Sequence, residues 1–257
     1  MPTPPTPKAP SPRDRRVVVL LSGGLDSTTV LWHFLSKGNT VLPVAFDYGQ
    51  RHAIELTHAR DVVMAAAAQF PERVVELRVL DATWLKHIAV SSSQTNREIA
   101  VPHGHYTDET MRVTVVPNRN MIMIAAATAY AMERQASIVA IGAHDGDHAI
   151  YADCRPEFLR ALGEAVRLQA EGALRLQAPF VNMTKSEIAA HGNALGAPLH
   201  LTWSCYDPHI VTDEPRRTKH CGKCGTCVER KEAFDLACVV DRTEYADGKD
   251  WPSAIPY

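Results

Sequence analysis

Three features are missing from the 257-residue sequence, and each absence excludes a class of protein. No apolar run approaches the ~20 residues that a membrane-spanning helix needs. The net charge is only −2, from 27 Lys and Arg against 29 Asp and Glu, so the basic footprint of a nucleic-acid-binding protein is lacking. Neither G-x-x-x-x-G-K-[ST] nor G-x-G-x-x-G occurs, which leaves the usual mononucleotide loop and the dinucleotide fold without support.

The N-terminal region has little that would form a folded core. Six of the 17 prolines lie in the first twelve residues, so we expect a disordered tail at residues 1–14. This region also lacks the apolar segment of a signal peptide. We therefore expect a cytoplasmic protein whose six cysteines are reduced or bound to metal.

Apolar runs and helical patterns alternate along the chain, which indicates an α/β fold with a doubly wound parallel sheet. We expect strands at Val17–Leu21, Val41–Phe46, Arg73–Leu80, Ile138–Gly142 and Leu174–Gln177. We expect helices at about Thr28–Lys37, Ala53–Gln69, Asn118–Gln135, Pro156–Glu171 and 185–195. The predicted domains are an α/β domain at 15–200 and a C-terminal segment at 201–257 that packs on it. Ligands of such sheets bind at the carboxyl ends of the strands.

The first strand is followed directly by Ser-Gly-Gly-Leu-Asp-Ser at residues 22–27 and then by a helical pattern. Two glycines let the backbone come close to an anion, and the N–H groups and dipole of a helix start favour negative charge. The loop therefore suits a phosphate. A glycine-rich turn in which Asp26 and Ser27 cap the helix is the alternative at this point. Since a carboxylate repels phosphate, Asp26 is expected to cap the helix or to hold the Mg²⁺ of a nucleotide.

Four cysteines form the pattern C-x15-C-x2-C-x2-C at Cys205, Cys221, Cys224 and Cys227. Four thiolates make a closed tetrahedral Zn²⁺ site, which leaves no open position and is typical of a structural metal. A redox role for the C-x-x-C pair is the alternative. Cys238 is expected to be a buried small apolar side chain, and the role of Cys154 stays open.

The loop resembles the signature of the PP-loop ATP pyrophosphatases, and further stretches narrow that resemblance. They are Phe46–His52, Val116–Asn120, Tyr151–Arg155 and Thr202–Tyr206. With the cysteines, they make residues 16–238 closely similar to the 7-cyano-7-deazaguanine synthase family, the nitrile-forming enzymes of queuosine biosynthesis. The sequence departs from the family pattern at Asn118, where Gly is usual, at Ala152, where Pro is usual, and in the His-rich stretch 142–148. Asn tolerates left-handed backbone angles, so the turn at Asn118 can survive.

The resemblance implies an adenine-nucleotide α-hydrolase-like fold and an ATP-dependent ligase that forms C–N bonds. Its members convert 7-carboxy-7-deazaguanine and ammonia into the nitrile through an adenylated carboxylate and an amide. The resemblance also implies structural Zn²⁺, ATP with Mg²⁺ as cosubstrate, small-molecule partners without nucleic acid or membrane, and a homodimer. The chain shows no glutaminase signature that would supply the ammonia.

The resemblance assigns candidate site residues in three groups. The ATP-binding group is Leu21, Ser22, Gly23, Gly24, Leu25, Asp26, Ser27, Thr28 and Asp47. The catalytic group is Asp26, Arg119, Asp153, Arg155 and Lys185. The substrate-binding group is Gln50, Arg51, Asn120, Asp147, Tyr151, Asp153 and Arg155.

Several residues keep two interpretations. Lys185 either adds a cation to the phosphates or is a solvated lysine in a first helical turn, and Arg155 either grips an anion or lies on the surface. Arg51 and His52 begin a helix and could face the site, although for His52 alone we expect an exposed or capping histidine. His144 and His148 are expected in a substrate loop rather than as metal ligands, and His103 and His105 are interpreted in the same way.

Rival functions also remain open. One is an amide-forming PP-loop synthetase, and another is a tRNA-modifying PP-loop enzyme with a free catalytic cysteine. A zinc-ribbon binding module without catalysis is the third.

Overall fold

The computed structural model describes residues 16–211 and 218–246, and within them five parallel strands form the main sheet in the order β3-β2-β1-β4-β5. The strands are β1 (Arg16–Leu20), β2 (Thr40–Asp47), β3 (Arg78–Asp81), β4 (Ile138–Ala140) and β5 (Arg175–Gln177). The predicted tail at 1–14 lies outside the described residues. The third strand is shorter than predicted, because only Val74 of its first half bridges to β2, at Val41.

β1 is covered on both faces, as its continuous apolar run predicts. Val17 and Val19 pack in one hydrophobic cluster, and Val18 and Leu20 pack in the cluster on the opposite face. The alternation follows from the two-residue period of a strand. A strand with both faces buried in this way lies at the centre of the sheet.

Helices cover both faces of the sheet, so the predicted doubly wound class is confirmed. They are α1 (Leu25–Ser36), α2 (Glu55–Gln69), α3 (Leu85–Ile88), α4 (Asp108–Arg112), α5 (Arg119–Glu133), α6 (Pro156–Gln169), α7 (Lys185–Ala194) and α8 (Gly225–Leu236). α1, α2 and α7 contribute to the cluster of one face, and α5 and α6 contribute to the other. Strand order reverses between β1 and β4, and doubly wound proteins bind ligands at such a point.

Two helix starts confirm local predictions. Asn118 has a φ of 61° just before α5 and thus adopts the left-handed conformation that asparagine tolerates. The Thr184 side chain accepts a hydrogen bond from the Glu187 N–H at the start of α7, and the Glu187 side chain returns a contact to the Thr184 backbone. The two residues form a capping box at the start of the helix predicted at 185–195.

The C-terminal segment is more regular than an irregular metal-binding loop. It holds the antiparallel pair β6 (His209–Ile210) and β7 (Thr218–Lys219), followed by α8. Cys238 lies just past α8 with a φ of 53°, and the Val239 N–H bonds to the Phe234 carbonyl, which is a Schellman end. Cys238 is exposed, so the prediction that it is buried is wrong: the left-handed turn carries its side chain away from the core.

Candidate active site

The loop between β1 and α1 ends in a helix start with free N–H groups. Gly24 is the extended N-cap of α1, and no side chain in the described part of the chain caps it. The expectation that Asp26 and Ser27 cap this helix is therefore wrong. Instead, the Ser22 and Ser27 hydroxyls lie 3.1 Å apart across the loop. Uncapped N–H groups at the positive end of a helix dipole are an anion-binding arrangement.

Close packing fixes the position of this loop. Gly23 has a φ of +83°, and a Cβ there would lie 2.6 Å from the backbone nitrogen of Ala59 on α2. The Gly23 carbonyl accepts a 2.8 Å hydrogen bond from the Trp203 N–H. A Cβ on Gly142, just after β4, would lie 3.1 Å from the Ser27 nitrogen. The loop is thus held between α2, the strand β4 and the segment that leads to Cys205.

Two carboxylates face one imidazole beside the loop. The Nδ1 of His144 accepts a hydrogen bond of 3.1 Å from the Gly146 N–H. Its Nε2 therefore carries the proton, and this atom lies 3.9 Å from Asp26 Oδ2 and 3.6 Å from Asp147 Oδ1. The other oxygen of Asp26, Oδ1, is buried and has no hydrogen-bond partner among the described residues. Burial raises the pKa of Asp147 above its ordinary value, against the opposing effect of His144.

Lys185 brings a cation to the same end of the cavity. Its Nζ donates a 2.9 Å hydrogen bond to Glu229 on α8. Burial alone would lower the pKa of Lys185, but the carboxylates of Glu229, Asp26 and Asp147 raise it above its ordinary value. Lys185 is therefore a charged, enclosed ammonium, and the alternative of a solvated first-turn lysine does not fit its position.

Arg119 also lines the cavity. Its Nη1 donates to Gln94 Oε1 at 3.1 Å and to the Tyr48 hydroxyl at 3.4 Å, and its guanidinium lies 5.7 Å from the centroid of the Tyr48 ring. No carboxylate of the described residues lies within ion-pair distance of it. A guanidinium with only neutral partners in a cavity favours binding of an anion, which it can grip with two donors.

These groups line a cavity of about 220 Å³ at the carboxyl ends of β1 and β4. The structure brings together eleven of the predicted site residues there: Leu21, Ser22, Gly24, Leu25, Asp26, Ser27, Arg119, Asn120, Asp147, Tyr151 and Lys185. It places the others outside the lining: Gly23, Thr28, Asp47, Gln50, Arg51, Asp153 and Arg155. Thr28 is fully buried within α1.

The polar residues outside the lining shape the loops that form it. Arg51 donates to the carbonyls of residues 96, 97 and 99, and Arg155 donates to the carbonyls of residues 148 and 149. The Asp153 carboxylate accepts from the Asn120 N–H in the first turn of α5, at 3.0 Å. Asp47 accepts from the Gly49 N–H. Each of these side chains therefore stabilises the backbone of a loop and does not itself line the cavity.

The histidines divide between the cavity and the surface. His144 lines the cavity, whereas His148 faces Asp145 at 3.5 Å, so the two do not converge on one ion. His103 and His105 do not line the cavity and instead face Asp207 and Glu232.

Sequence reasoning missed several lining residues, among them Tyr48, His52, Glu55, Trp203, Tyr206 and Thr226. His52 is only 2% exposed, so its expected exposed or capping role is wrong. The stretches Phe46–His52 and Thr202–Tyr206 contain four of the six, whereas no sequence signal pointed to Glu55 or Thr226.

The four cysteines lie together and are all buried, with their sulfur atoms within 4.8 Å of one another. Cys221 and Cys227 Sγ are 3.9 Å apart, as are Cys205 and Cys224 Sγ. Bonds of ~2.3 Å to a tetrahedral Zn²⁺ would place the sulfurs about 3.8 Å apart. The donor set and its spacing therefore fit a closed four-thiolate metal site.

In the described part of the chain, no helix has the length and apolar character required to cross a membrane.

Comparisons with known proteins agree with this architecture. A crystal structure of a 4-thiouridine synthetase–RNA complex with bound ATP matches 86% of this chain and 51% of its own, with a TM-score of 0.50 and 18% identity. The doubly wound sheet and its glycine loop define an α/β protein of the PP-loop class.

The sequence comparisons narrow that class. The family model "Queuosine biosynthesis protein QueC" matches residues 16–238. The 7-cyano-7-deazaguanine synthase of Pseudoalteromonas translucida is 41% identical over 90% of this chain and 99% of its own. The one of Marinobacter nauticus is 43% identical over 89% and 96%, respectively. The chain belongs to the QueC family.

Proposed function

We propose that this chain converts 7-carboxy-7-deazaguanine and ammonia into 7-cyano-7-deazaguanine at the expense of ATP, as a step of queuosine biosynthesis. The observation that carries the proposal is the cavity of a QueC-family chain whose lining includes both an anion-binding loop and the guanidinium of Arg119, which has no carboxylate partner among the described residues. The loop suits a nucleotide phosphate chain, and Arg119 suits the carboxylate of the acid.

The chemistry needs two activations. A carboxylate resists ammonia because its oxygens are poor leaving groups, so adenylation replaces one oxygen with the good leaving group AMP. Ammonia then displaces AMP and gives the amide. A second ATP activates the amide oxygen, and loss of AMP leaves the nitrile. The protein contributes positioning and the stabilisation of developing charge.

Residue roles follow from the geometry. The loop residues that line the cavity, above all the backbone and hydroxyls of Ser22, Gly24 and Ser27, hold the pyrophosphate. Lys185 neutralises charge on the phosphates as they separate, and the free Oδ1 of Asp26 together with Asp147 provides oxygen ligands for the Mg²⁺ of ATP. Asn120 and Tyr151 line the substrate end.

The remaining predicted residues act through the backbone. Asp153 supports the start of α5, from which Arg119 projects. Asp47, Gln50, Arg51 and Arg155 hold the loops after β2 and β4. We therefore assign them to loop positioning rather than to direct contact with the reacting atoms.

We further propose that the metal is a structural Zn²⁺, since four protein thiolates leave no position for substrate. When bound, the ion would fix the segment that supplies Trp203, Tyr206 and Thr226 to the cavity. A homodimer, a cytoplasmic location and the lack of a nucleic-acid partner remain predictions; the net charge of −2 supports the last of these.

The rival function, a tRNA-modifying PP-loop enzyme, needs a reactive cysteine. Among the described residues, the cysteine that lines the cavity is Cys154, which does not belong to the four-cysteine cluster. Burial, reinforced by the carboxylates of Asp147 and Asp153, raises the pKa of the Cys154 thiol. The 3.1 Å hydrogen bond that its Sγ accepts from the Asn120 amide lowers this pKa but does not offset the effect of burial. A thiol kept protonated is a poor nucleophile, which favours the nitrile-forming reaction.

The direct test is mass spectrometry of the product formed from the deazaguanine acid, ATP and ammonium. The nitrile supports the proposal, whereas the amide alone would show an amide-forming synthetase, and the absence of any product would refute both. Arg119→Gln should raise the KM for the acid more than the KM for ATP. Arg134→Gln is the matched control, because its guanidinium also lies over a tyrosine, Tyr130, at 5.3 Å, but away from the cavity.

A further inference from the structure

The proposed reaction, on which this inference rests, strips every proton from one nitrogen atom. Ammonia loses one proton when the C–N bond forms and the C–O bond to AMP breaks. The amide nitrogen loses a second when its oxygen attacks the α-phosphate of ATP and pyrophosphate leaves. It loses the third when the C–O bond to the second AMP breaks and the triple bond forms. A base beside that nitrogen would serve all of these transfers, yet the phosphate loop, Lys185 and Arg119 supply none.

Two imidazoles line the cavity in the described part of the chain, those of His52 and His144. His144 is engaged on both sides, because its Nδ1 accepts from Gly146 and its Nε2 faces Asp26 and Asp147. It also lies at the phosphate end. His52 lies elsewhere, on the segment between β2 and α2, and it stacks on Tyr206 with ring centroids 4.7 Å apart.

His52 has the surroundings of an oriented base. Its Nε2 lies 3.4 Å from Glu55 Oε2. The other oxygen of Glu55 accepts a 2.9 Å hydrogen bond from the Gln50 amide, and Gln50 is itself bonded to the backbone of Tyr48 and Phe46. A carboxylate beside Nε2 favours the tautomer with its proton there, which leaves Nδ1 as the acceptor. Nδ1 is buried and has no hydrogen-bond partner in the described residues.

We propose that His52 is the general base of the amination and dehydration steps and that Glu55 is its positioning residue. In the amination, the lone pair of ammonia forms the C–N bond, and Nδ1 takes a proton whose bonding electrons stay on nitrogen as a lone pair. In the two later transfers, Nδ1 takes the proton as the electron pair of the N–H bond becomes a C–N π bond. The Glu55 carboxylate stabilises the imidazolium at Nε2, as the carboxylate of a catalytic triad does for its histidine. The imidazolium returns its proton to solvent before the next transfer. Adenylation of the acid itself removes no proton from nitrogen and does not need His52.

The test separates these steps in the full-length protein. Acid-dependent exchange of labelled pyrophosphate into ATP reports adenylation, and mass spectrometry reports amide and nitrile. His52→Asn should keep the exchange while amide and nitrile formation fall about 10²–10⁴-fold, the usual contribution of a general base. Glu55→Gln should give a smaller fall in kcat with an unchanged KM for ATP.

His58→Asn is the matched control, since His58 also stacks on an aromatic ring of the cysteine segment, Trp203, at 4.9 Å but does not line the cavity. It should keep wild-type nitrile formation. Wild-type nitrile formation by His52→Asn overturns the assignment, and so does loss of exchange in a variant that is folded by circular dichroism. A wild-type chain that makes no nitrile refutes the proposed function itself, which is a separate result from the failure of His52.

Discussion

The ammonium group of Lys185, the first residue of α7, is hydrogen-bonded at 2.9 Å to the carboxylate of Glu229 on α8. α8 begins between Cys224 and Cys227, two members of the thiolate cluster. The Lys185 ammonium is thus tied to a helix whose N-cap is Cys224 and whose first turn holds Cys227. Loss of the metal site should therefore weaken nucleotide binding.

Replacement of this lysine by an apolar side chain of similar length tests its role. Lys185→Met should reduce acid-dependent pyrophosphate exchange by about 10²–10³-fold, because a preorganised charge at the phosphates is lost. The exchange rate at saturating ATP is the measurement. Lys37→Met, at the end of α1, changes a lysine away from the cavity and should leave the rate unchanged. Equal exchange in both variants would refute the role of Lys185.

Loss of one thiolate should open the metal site. Cys221→Ser should lower the metal content per chain and the thermal stability together, because a structural metal contributes directly to folding. Elemental analysis and thermal unfolding measure the two effects. Cys238→Ser removes an exposed thiol outside the cluster and should change neither. A Cys221→Ser chain with full metal content would show that the four sulfurs are not the ligand set.

Gly23 and Gly104 have the same backbone conformation, so alanine at the two positions distinguishes the cost of a left-handed backbone from the cost of a steric collision. Gly23 and Gly104 have φ angles of +83° and +86°, but a Cβ at Gly104 meets no atom within 4 Å. Alanine at either position should destabilise the chain by about 1–2 kcal/mol through the left-handed backbone. Gly23→Ala should lose more, because its Cβ collides with the backbone of α2, and should also lose exchange activity. Denaturant unfolding compares the two, and equal losses would contradict the collision.

The buried ion pair between Arg230 and Asp241 should make stability depend on pH. Burial alone would raise the pKa of Asp241, but Arg230 and the hydroxyls of Tyr245 and Thr243 bring it below its ordinary value. As the pH falls, the unfolded chain therefore binds a proton at this position before the folded chain does, so stability present above the ordinary pKa of aspartate is lost towards acid.

Asp241→Asn should cost about 3–5 kcal/mol at neutral pH, the usual result of breaking a buried pair. The difference from wild type should shrink as the pH falls below the ordinary pKa of aspartate, which urea unfolding at several pH values measures. Glu164→Gln removes the carboxylate of a surface pair with Arg167 and should change stability little. A difference at Asp241 that does not change with pH would contradict the assignment.

Local spacing was sufficient to predict the sheet, the glycine loop and the cysteine cluster, since each depends on residues close together in the chain. The positions of long polar side chains could not be predicted in this way. Arg51 follows a predicted strand and was expected to bind substrate, yet its guanidinium is taken up by carbonyls of the loop at 96–99. Tertiary packing decides which anion or carbonyl an arginine contacts. The residues next to the arginine in sequence do not indicate that partner.

His52 is the reverse case, since it was expected at the surface and lies in the cavity. Its neighbours suggest a polar turn, and its burial results from stacking on Tyr206, which lies far later in the chain. The start of α1 shows a third case. Asp26 is a favoured capping residue type, but the structure assigns the N-cap to Gly24 and leaves the aspartate facing His144.

The hydrogen bond from the Trp203 N–H to the Gly23 carbonyl joins the glycine loop to a segment that is synthesised much later. A ribosome that has released only the first half of the chain holds a complete glycine loop without its far wall. Nucleotide binding is therefore expected to appear late during translation, once the cysteine segment has emerged and docked. A chain cut before residue 203 is therefore expected to bind ATP more weakly than the full chain, since its glycine loop lacks this contact.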